Sequence, residues 1–418
     1  MNQVLVTGLG MLTPLGANKT DSFAAALAAH SAIRALPEDR CAGLTHILQA
    51  PAAVEPGPLL DRAQAGLDRA AQFALLATQE ALTEAELEAA PWPDASRVGI
   101  YVGIGFGGAE TVDGLYTRYF QALHGGKGRQ ATVMHPLSVP RMMANATAAA
   151  ISMRHGIRGA TYTYSVACAS SAVAAGEALR AIRHGYLDAA IVVGTEAMLT
   201  PGSIVAWNAL RVMARPDDTD PAASCKPFAA DRTGFVLGEG AAALVLESTA
   251  HAARRGRPAL AELAGYGCSS DAHHLTAPSV EGQVTAMTQA LREAGLAPEQ
   301  VQYLNAHGTA TDAGDVIETQ SIQAVFGAAA DQLAVSSTKA VHGHLIGAGG
   351  TVELGLSLMA LQSGSIPPTA HLHQPDPRCP LDYVPLQARH GCDIQAVMSN
   401  SFAFGGTNAC LVARRVRA

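Results

Sequence analysis

Long apolar runs are missing from this sequence: none reaches the ~18 residues that a membrane-spanning helix needs. A basic stretch running into an apolar one, the mark of a secretory leader, is also missing from its first residues. Both absences point to a cytoplasmic protein without membrane contact. Charge is scarce as well, with Asp, Glu, Lys and Arg making up 15% of the 418 residues against 49% hydrophobic ones. Much of such a chain must be interior, and the lack of any long polar or like-charged run excludes disorder for most of it. The net charge of −7 comes with no offsetting basic block, which argues against nucleic acid as the main partner. The seven cysteines, Cys41, Cys168, Cys225, Cys268, Cys379, Cys392 and Cys410, form no CxxC pair. That spacing suggests neither a zinc site nor a disulfide framework, and most of them read as small buried hydrophobes.

What is present is a rhythm. Val4-Leu5-Val6-Thr7-Gly8-Leu9-Gly10 is an apolar strand running into a glycine turn. Further strands are expected at 98–103, 161–167, 190–194, 242–247, 301–305, 333–336 and 408–413, with helices at 20–29, 68–85, 170–183, 282–293 and 351–362. Strands and helices alternating at this spacing indicate α/β architecture with parallel sheets covered by helices. The pattern also echoes itself. Short strands run into glycines at Val4–Gly10 and again at Ala261–Gly267. Later in each half a turn opens a helix of small residues, at Ser165–Ala175 and at Gly343–Gly355. Small side chains suit a helix pressed between two sheets. Two similar halves, 1–255 and 256–418, would join near Ala252–Pro258.

Four segments carry chemistry. In Ser165-Val166-Ala167-Cys168-Ala169-Ser170-Ser171 a cysteine leaves a strand and opens a helix, where amide N–H groups and the helix dipole favour thiolate. Asn305-Ala306-His307-Gly308-Thr309-Ala310-Thr311 sets a histidine after an apolar strand. Lys339-Ala340-Val341-His342-Gly343-His344 sets another ahead of the second small-residue helix. Ser399-Asn400-Ser401-Phe402-Ala403-Phe404-Gly405-Gly406-Thr407-Asn408 reads as a glycine-hinged loop that can present backbone N–H groups. Each alone is a weak signal; the four in this order are a strong one.

With Pro227-Phe228, Asp231-Arg232-Thr233-Gly234-Phe235 and Gly238-Glu239-Gly240 added, the chain resembles over its whole length the elongating β-ketoacyl-acyl-carrier-protein synthases of the thiolase-fold condensing enzymes. The resemblance implies two thiolase-like halves in a five-layered αβαβα arrangement, with the nucleophile in the first and two catalytic histidines in the second. It makes Cys168 the acyl-carrying nucleophile, His307 and His344 its triad partners and Lys339 their support. Thr309 and Thr311 match the threonines that bind the phosphopantetheine arm. The backbone N–H groups of Cys168 and Phe404 match the oxyanion hole, and Phe404 and Phe402 belong to the gate. The implied reaction is decarboxylative condensation of malonyl-acyl-carrier protein with an acyl group, with no metal and no organic cofactor. His344 in the third triad place, rather than Asn, favours an elongating over an initiating enzyme. Cys410 lacks the CxG setting of a thiolase's second cysteine. An intact Cys168, His307 and His344 set speaks against a non-catalytic, chain-length-factor-like subunit.

Departures from the family pattern are Val166 and His342 in place of Thr, Ala403 in place of Gly, and Phe106 in Gly103-Ile104-Gly105-Phe106-Gly107-Gly108. Phe106 replaces a smaller aliphatic residue at the floor of the acyl tunnel. Together they favour a dedicated polyketide or polyene pathway over housekeeping fatty-acid elongation. The partners implied are an acyl carrier protein and either a second copy or a chain-length-factor-like chain. Arg62, Arg69, Arg211, Arg215 and Lys226 are the candidate landing residues for the acidic carrier.

Overall fold

The computed structural model describes residues 2–37, 43–44, 47–88 and 92–416; Cys41 lies outside them. Ten strands make the main sheet: β1 Val4–Leu12, β2 Val98–Gly103, β3 Thr161–Tyr164, β4 Ala189–Glu196, β5 Gly240–Ser248, β6 Ala261–Ser270, β7 Tyr303–Asn305, β8 Ala334–Ser336, β9 Ala396–Phe402 and β10 Thr407–Arg414. Their order is β8-β7-β9-β10-β6-β1-β5-β4-β2-β3. The two blocks of five have matching orders running outward from β1 and from β6, and they join where Leu5 and Val6 of β1 pair with Glu262 and Ala261 of β6.

Pairing within each block is mixed rather than parallel throughout. The outer pairs β2–β3, β2–β4, β7–β8 and β7–β9 are parallel, whereas β1–β5, β4–β5, β9–β10 and β10–β6 run antiparallel. The reason is visible at β9 and β10. Only Ala403–Gly406 joins them, and a short turn returns the chain antiparallel, whereas a parallel neighbour needs a long crossover. Ser399–Phe402, read from sequence as loop, thus belong to β9, and β3 stops at Tyr164 instead of reaching residue 167.

Six helices complete the layers: α1 Arg69–Glu84, α2 Ala146–His155, α3 Ser170–Arg183, α4 Val280–Ala294, α5 Asp312–Phe326 and α6 Gly349–Ser363. α1 and α2 pack together outside the first block, and α4 and α5 outside the second. α3 and α6 lie between the blocks and touch strands of both, which gives the αβαβα arrangement. Small residues are sterically required where they meet: a Cβ on Gly176 of α3 would stand 2.3 Å from the Tyr266 ring, and one on Gly350 of α6 would stand 2.7 Å from Ala172 N. The strands facing them are equally tight. A Cβ on Gly103 of β2 would stand 2.2 Å from Ser171 of α3, and one on Gly194 of β4 would stand 2.1 Å from Thr351 of α6. α6 is buried all round, as a helix enclosed by sheets must be. Among the described residues no helix is long and apolar enough to cross a membrane, and six cysteines are free.

Candidate active site

Both central helices are entered through a strained turn. Ala167 has φ +49° just before Cys168, and Ile346 has φ +43° just before Gly347. A β-branched residue in the left-handed region is a true outlier, costing of order 1–3 kcal/mol. The turns bring the catalytic candidates together at one end of the α3–α6 layer. His344 Nε2 lies 3.0 Å from Cys168 Sγ, and the rings of His307 and His344 stand edge to face with centroids 5.4 Å apart. A ligand atom from each of the three lies within 4.8 Å of the others.

The Ile346 N–H donates to His344 Nδ1 at 3.3 Å. A neutral ring that accepts at Nδ1 carries its proton on Nε2, facing the sulfur. That tautomer is a poor metal ligand, because a coordinating nitrogen must offer a lone pair and the ring's other nitrogen usually donates. Burial, then the nearby Lys339 ammonium, holds both His307 and His344 well below the usual imidazole range. Both rings are therefore neutral at pH 7. Lys339 is itself buried and forms an ion pair with buried Glu353. The Cys168 thiol departs from the sequence expectation. Burial pushes it up to about 12, against the opposing pull of Lys339 and of the Phe404 N–H that bonds to it. At rest the site holds a thiol beside neutral imidazoles, all in a water-poor setting where N–H donors act strongly on developing negative charge.

Buried carboxylates that the sequence reading missed position these groups. Glu318 of α5 accepts the backbone N–H groups of His307 (2.8 Å) and Gly308 (2.7 Å), and Asn400 Nδ2 donates to it at 3.2 Å. Glu196, at the end of β4, accepts from Gly105 (2.7 Å) and Gly347 (3.0 Å) through the same oxygen. Lone acids at a strand end or in mid-helix look solvated in sequence, and only the fold buries them.

Cys168, His307 and His344 open on a cavity of about 360 Å³, which Thr309, Thr311, Phe402 and Phe404 also line. Thr309 and Thr311 face one another with hydroxyls 3.1 Å apart. Arg232 fixes their loop: it donates to the Thr311 carbonyl at 3.0 Å and to the Asp312 carbonyl at 2.7 Å, while Asp376 holds its other end at 2.7 Å. Phe402 packs beside His307, with ring centroids 6.0 Å apart, and Phe404 stacks on Trp207.

Several expectations are corrected. Phe106 is neither core nor part of the cavity wall; its ring is 64% exposed. Its N–H follows that of Gly105 onto Glu196, donating to Oε1 at 3.4 Å. Ala403 does not occupy a strained position, since the positive φ values fall on Gly405 (+88°) and Gly406 (+81°). Arg69 is held by Glu239 and Glu55, and Lys226 by Asp217 and Asp231, so neither offers a free charge to a carrier. Arg62, Arg211 and Arg215 remain exposed, and Arg211 stands at the cavity mouth. Val166 is half-buried, and its N–H donates to Ser170 at 2.9 Å. His342 is buried between the Thr338 hydroxyl (2.9 Å) and the Gly343 carbonyl (2.7 Å).

Comparison with known proteins agrees with this architecture. Residues 1–252 match the family model for the β-ketoacyl synthase N-terminal domain, and residues 260–373 match that for its C-terminal domain. The chain is 40% identical over 415 residues to nodulation protein E of Rhizobium sp. (strain N33), covering 99% of each. It is 38% identical over 418 residues to 3-oxoacyl-[acyl-carrier-protein] synthase 2 of Coxiella burnetii, again covering 99% of each. Two solved structures align over 100% of both chains. One is the ishigamide ketosynthase/chain length factor (TM-score 0.90, 29% identity). The other is a type II polyketide synthase acyl carrier protein in complex with its ketosynthase bound to the hexaketide (TM-score 0.89, 27% identity). With both halves matched and full-length relatives near 40% identity, the chain belongs to the β-ketoacyl synthase family.

Proposed function

We propose that this β-ketoacyl-acyl-carrier-protein synthase performs decarboxylative condensation on an acyl chain held by Cys168, in a pathway dedicated to a polyketide or polyene. The observation that carries the reaction is the orientation of His344, whose protonated Nε2 faces the Cys168 sulfur from 3.0 Å beside a second neutral imidazole. In the first half-reaction Cys168 attacks a carrier-bound thioester. A new C–S bond forms, the old one breaks, and the thiol proton leaves with the departing phosphopantetheine thiol. Malonyl-carrier protein then enters past Thr309 and Thr311. Its carboxyl–carbon bond breaks, carbon dioxide leaves, and the electron pair becomes an enolate whose oxygen takes N–H donation from His307 and His344. The carbanion attacks the acyl carbonyl, where the N–H groups of Cys168 and Phe404 receive the oxyanion. The C–S bond to Cys168 breaks, β-ketoacyl-carrier protein departs, and one proton from solvent restores the thiol. In this scheme N–H donors and a solvent proton serve each step, and it is written without a metal or an organic cofactor.

Support for a dedicated pathway comes from the likeness to the nodulation protein and to the polyketide ketosynthases. The likeness to 3-oxoacyl-[acyl-carrier-protein] synthase 2 favours the second reading, housekeeping elongation. As partners we propose an acyl carrier protein, met by Arg62, Arg211 and Arg215, and a second synthase-type chain, identical or chain-length-factor-like, against β3.

The test separates the half-reactions. His307→Ala and His344→Ala should each lower carbon dioxide release from malonyl-carrier protein about 10²–10³-fold, the usual cost of one lost oxyanion donor. Acylation of Cys168, followed by intact mass, should stay measurable in both. Equal loss of the two half-reactions would show that the histidines do not have this role.

A further inference from the structure

His344 depends on a turn that is unfavourable in its own right. Ile346 is β-branched at φ +43°, yet that conformation is what aims its N–H at His344 Nδ1. The next residue, Gly347, donates its N–H to Glu196 Oε2 at 3.0 Å, and the same oxygen accepts Gly105 N–H at 2.7 Å. Gly105 in turn accepts the Ser165 hydroxyl at 2.9 Å, and Ser165 lies three residues before Cys168. No space separates these segments: a Cβ on Gly347 would stand 2.4 Å from Gly105 N and 2.8 Å from Glu196 Oε2. One buried oxygen thus staples the strained turn beside His344 to the loop that bears Phe106 and backs the nucleophile.

We infer that Glu196 is a positioning residue for condensation: by holding Gly347 it keeps Ile346 strained, so that the Ile346 N–H fixes the Nε2-protonated tautomer of His344. This rests on the roles proposed above for Cys168 and His344. Glu196 touches neither substrate nor sulfur and acts through the turn. Without the staple the turn relaxes toward an ordinary φ, the N–H leaves Nδ1, and the imidazole proton is shared between two nitrogens instead of facing the reacting oxygen. Decarboxylation suffers, while attack by Cys168 does not require that proton.

The experiment compares full-length wild type, Glu196→Ala, Glu196→Gln and Gly347→Ala, each normalised to folded protein by thermal melting. Carbon dioxide release from malonyl-carrier protein should fall ~10–100-fold in Glu196→Ala, the scale of a misplaced catalytic group. Acylation of Cys168 should change less than about threefold, on the same geometric argument. Gly347→Ala, which forces the two segments apart without altering the carboxylate, should show the same split. Glu196→Gln keeps one oxygen for both N–H groups and should recover most of the release. Parallel loss of both half-reactions in Glu196→Ala and Gly347→Ala would reduce Glu196 to a structural part and overturn the inference, as would a release that depends on His344 but not on Glu196. Release that survives His344→Ala would instead overturn the underlying reading of the site, and this inference with it.

Discussion

The two halves of the molecule are built alike and finished differently. Each has five strands in the same order, a strained turn and a central helix of small residues. In the first half the residue after the strained turn is Cys168, with the Phe404 N–H directed at its sulfur. In the second it is Gly347, whose N–H is taken by Glu196 and whose Cβ position is filled. On the roles proposed above, one turn presents the nucleophile and the other mounts His344. The outer edges differ as well. β8 is covered by the chain itself, with Val335 N–H donating to the Asp382 carbonyl at 2.9 Å. β3 has no neighbour beyond it among the described residues, and Tyr162 on it is 53% exposed. The two halves share their scaffold; the points where they differ are the turn after the strained residue and the open edge at β3.

Breaking the first difference should have the largest effect. Cys168→Ala should abolish labelling by acyl-carrier protein or a cerulenin-like epoxide and lower product formation by at least ~10³-fold, as loss of a nucleophile does. Peptide mapping that finds label elsewhere would mean the halves are not specialised in this way. The second difference is smaller in energy but visible in mass. An unpaired strand edge invites pairing, so the intact chain should run as a dimer with itself or with a second synthase-type chain. Tyr162→Asp should shift light scattering toward monomer while the melting temperature of the isolated chain stays nearly unchanged. A fully active wild-type monomer would leave the open edge without explanation.

Phe106 gives the smallest effect and the sharpest reading of substrate. Because its ring is exposed in the single chain, Phe106→Ala should cost within ~0.5 kcal/mol of stability, not the several expected of a core aromatic. If a partner chain covers that face and extends the acyl tunnel to it, each added methylene contributes up to ~0.8 kcal/mol. Two carbons would then change chain-length selectivity about tenfold. Acylation rates across a chain-length series, measured on the dimer, decide the point. An unchanged profile removes Phe106 from the specificity argument and favours housekeeping elongation.

Much of the scaffold was legible because burial imposes periodicity. The strands at 98–103 and 334–336 and the helices at 170–183 and 349–363 sit within a few residues of where the apolar pattern puts them. The family motifs supplied Cys168, His307 and His344. Contacts between residues distant in sequence were hidden. Nothing local to Glu196 or Glu318 signals that a carboxylate will meet backbone N–H groups some 90 and 10 residues away. Gly405 and Gly406 make Ser399–Asn408 read as a hinged loop, whereas pairing with β7 and β10 carries β9 on to Phe402. Arg69 and Lys226 looked available because an ion pair with Glu239 or Asp217 leaves no mark on composition.

The cavity at Cys168, which Thr309 and Thr311 line, also bears on the order of events. If both donors reach Cys168 through this cavity, as proposed, a pantetheine arm lying in it excludes a second one. The first carrier must therefore depart before the second arrives. Steady-state rates should follow ping-pong kinetics, with parallel double-reciprocal lines, and either carrier in excess should inhibit by occupying the doorway in the other's turn.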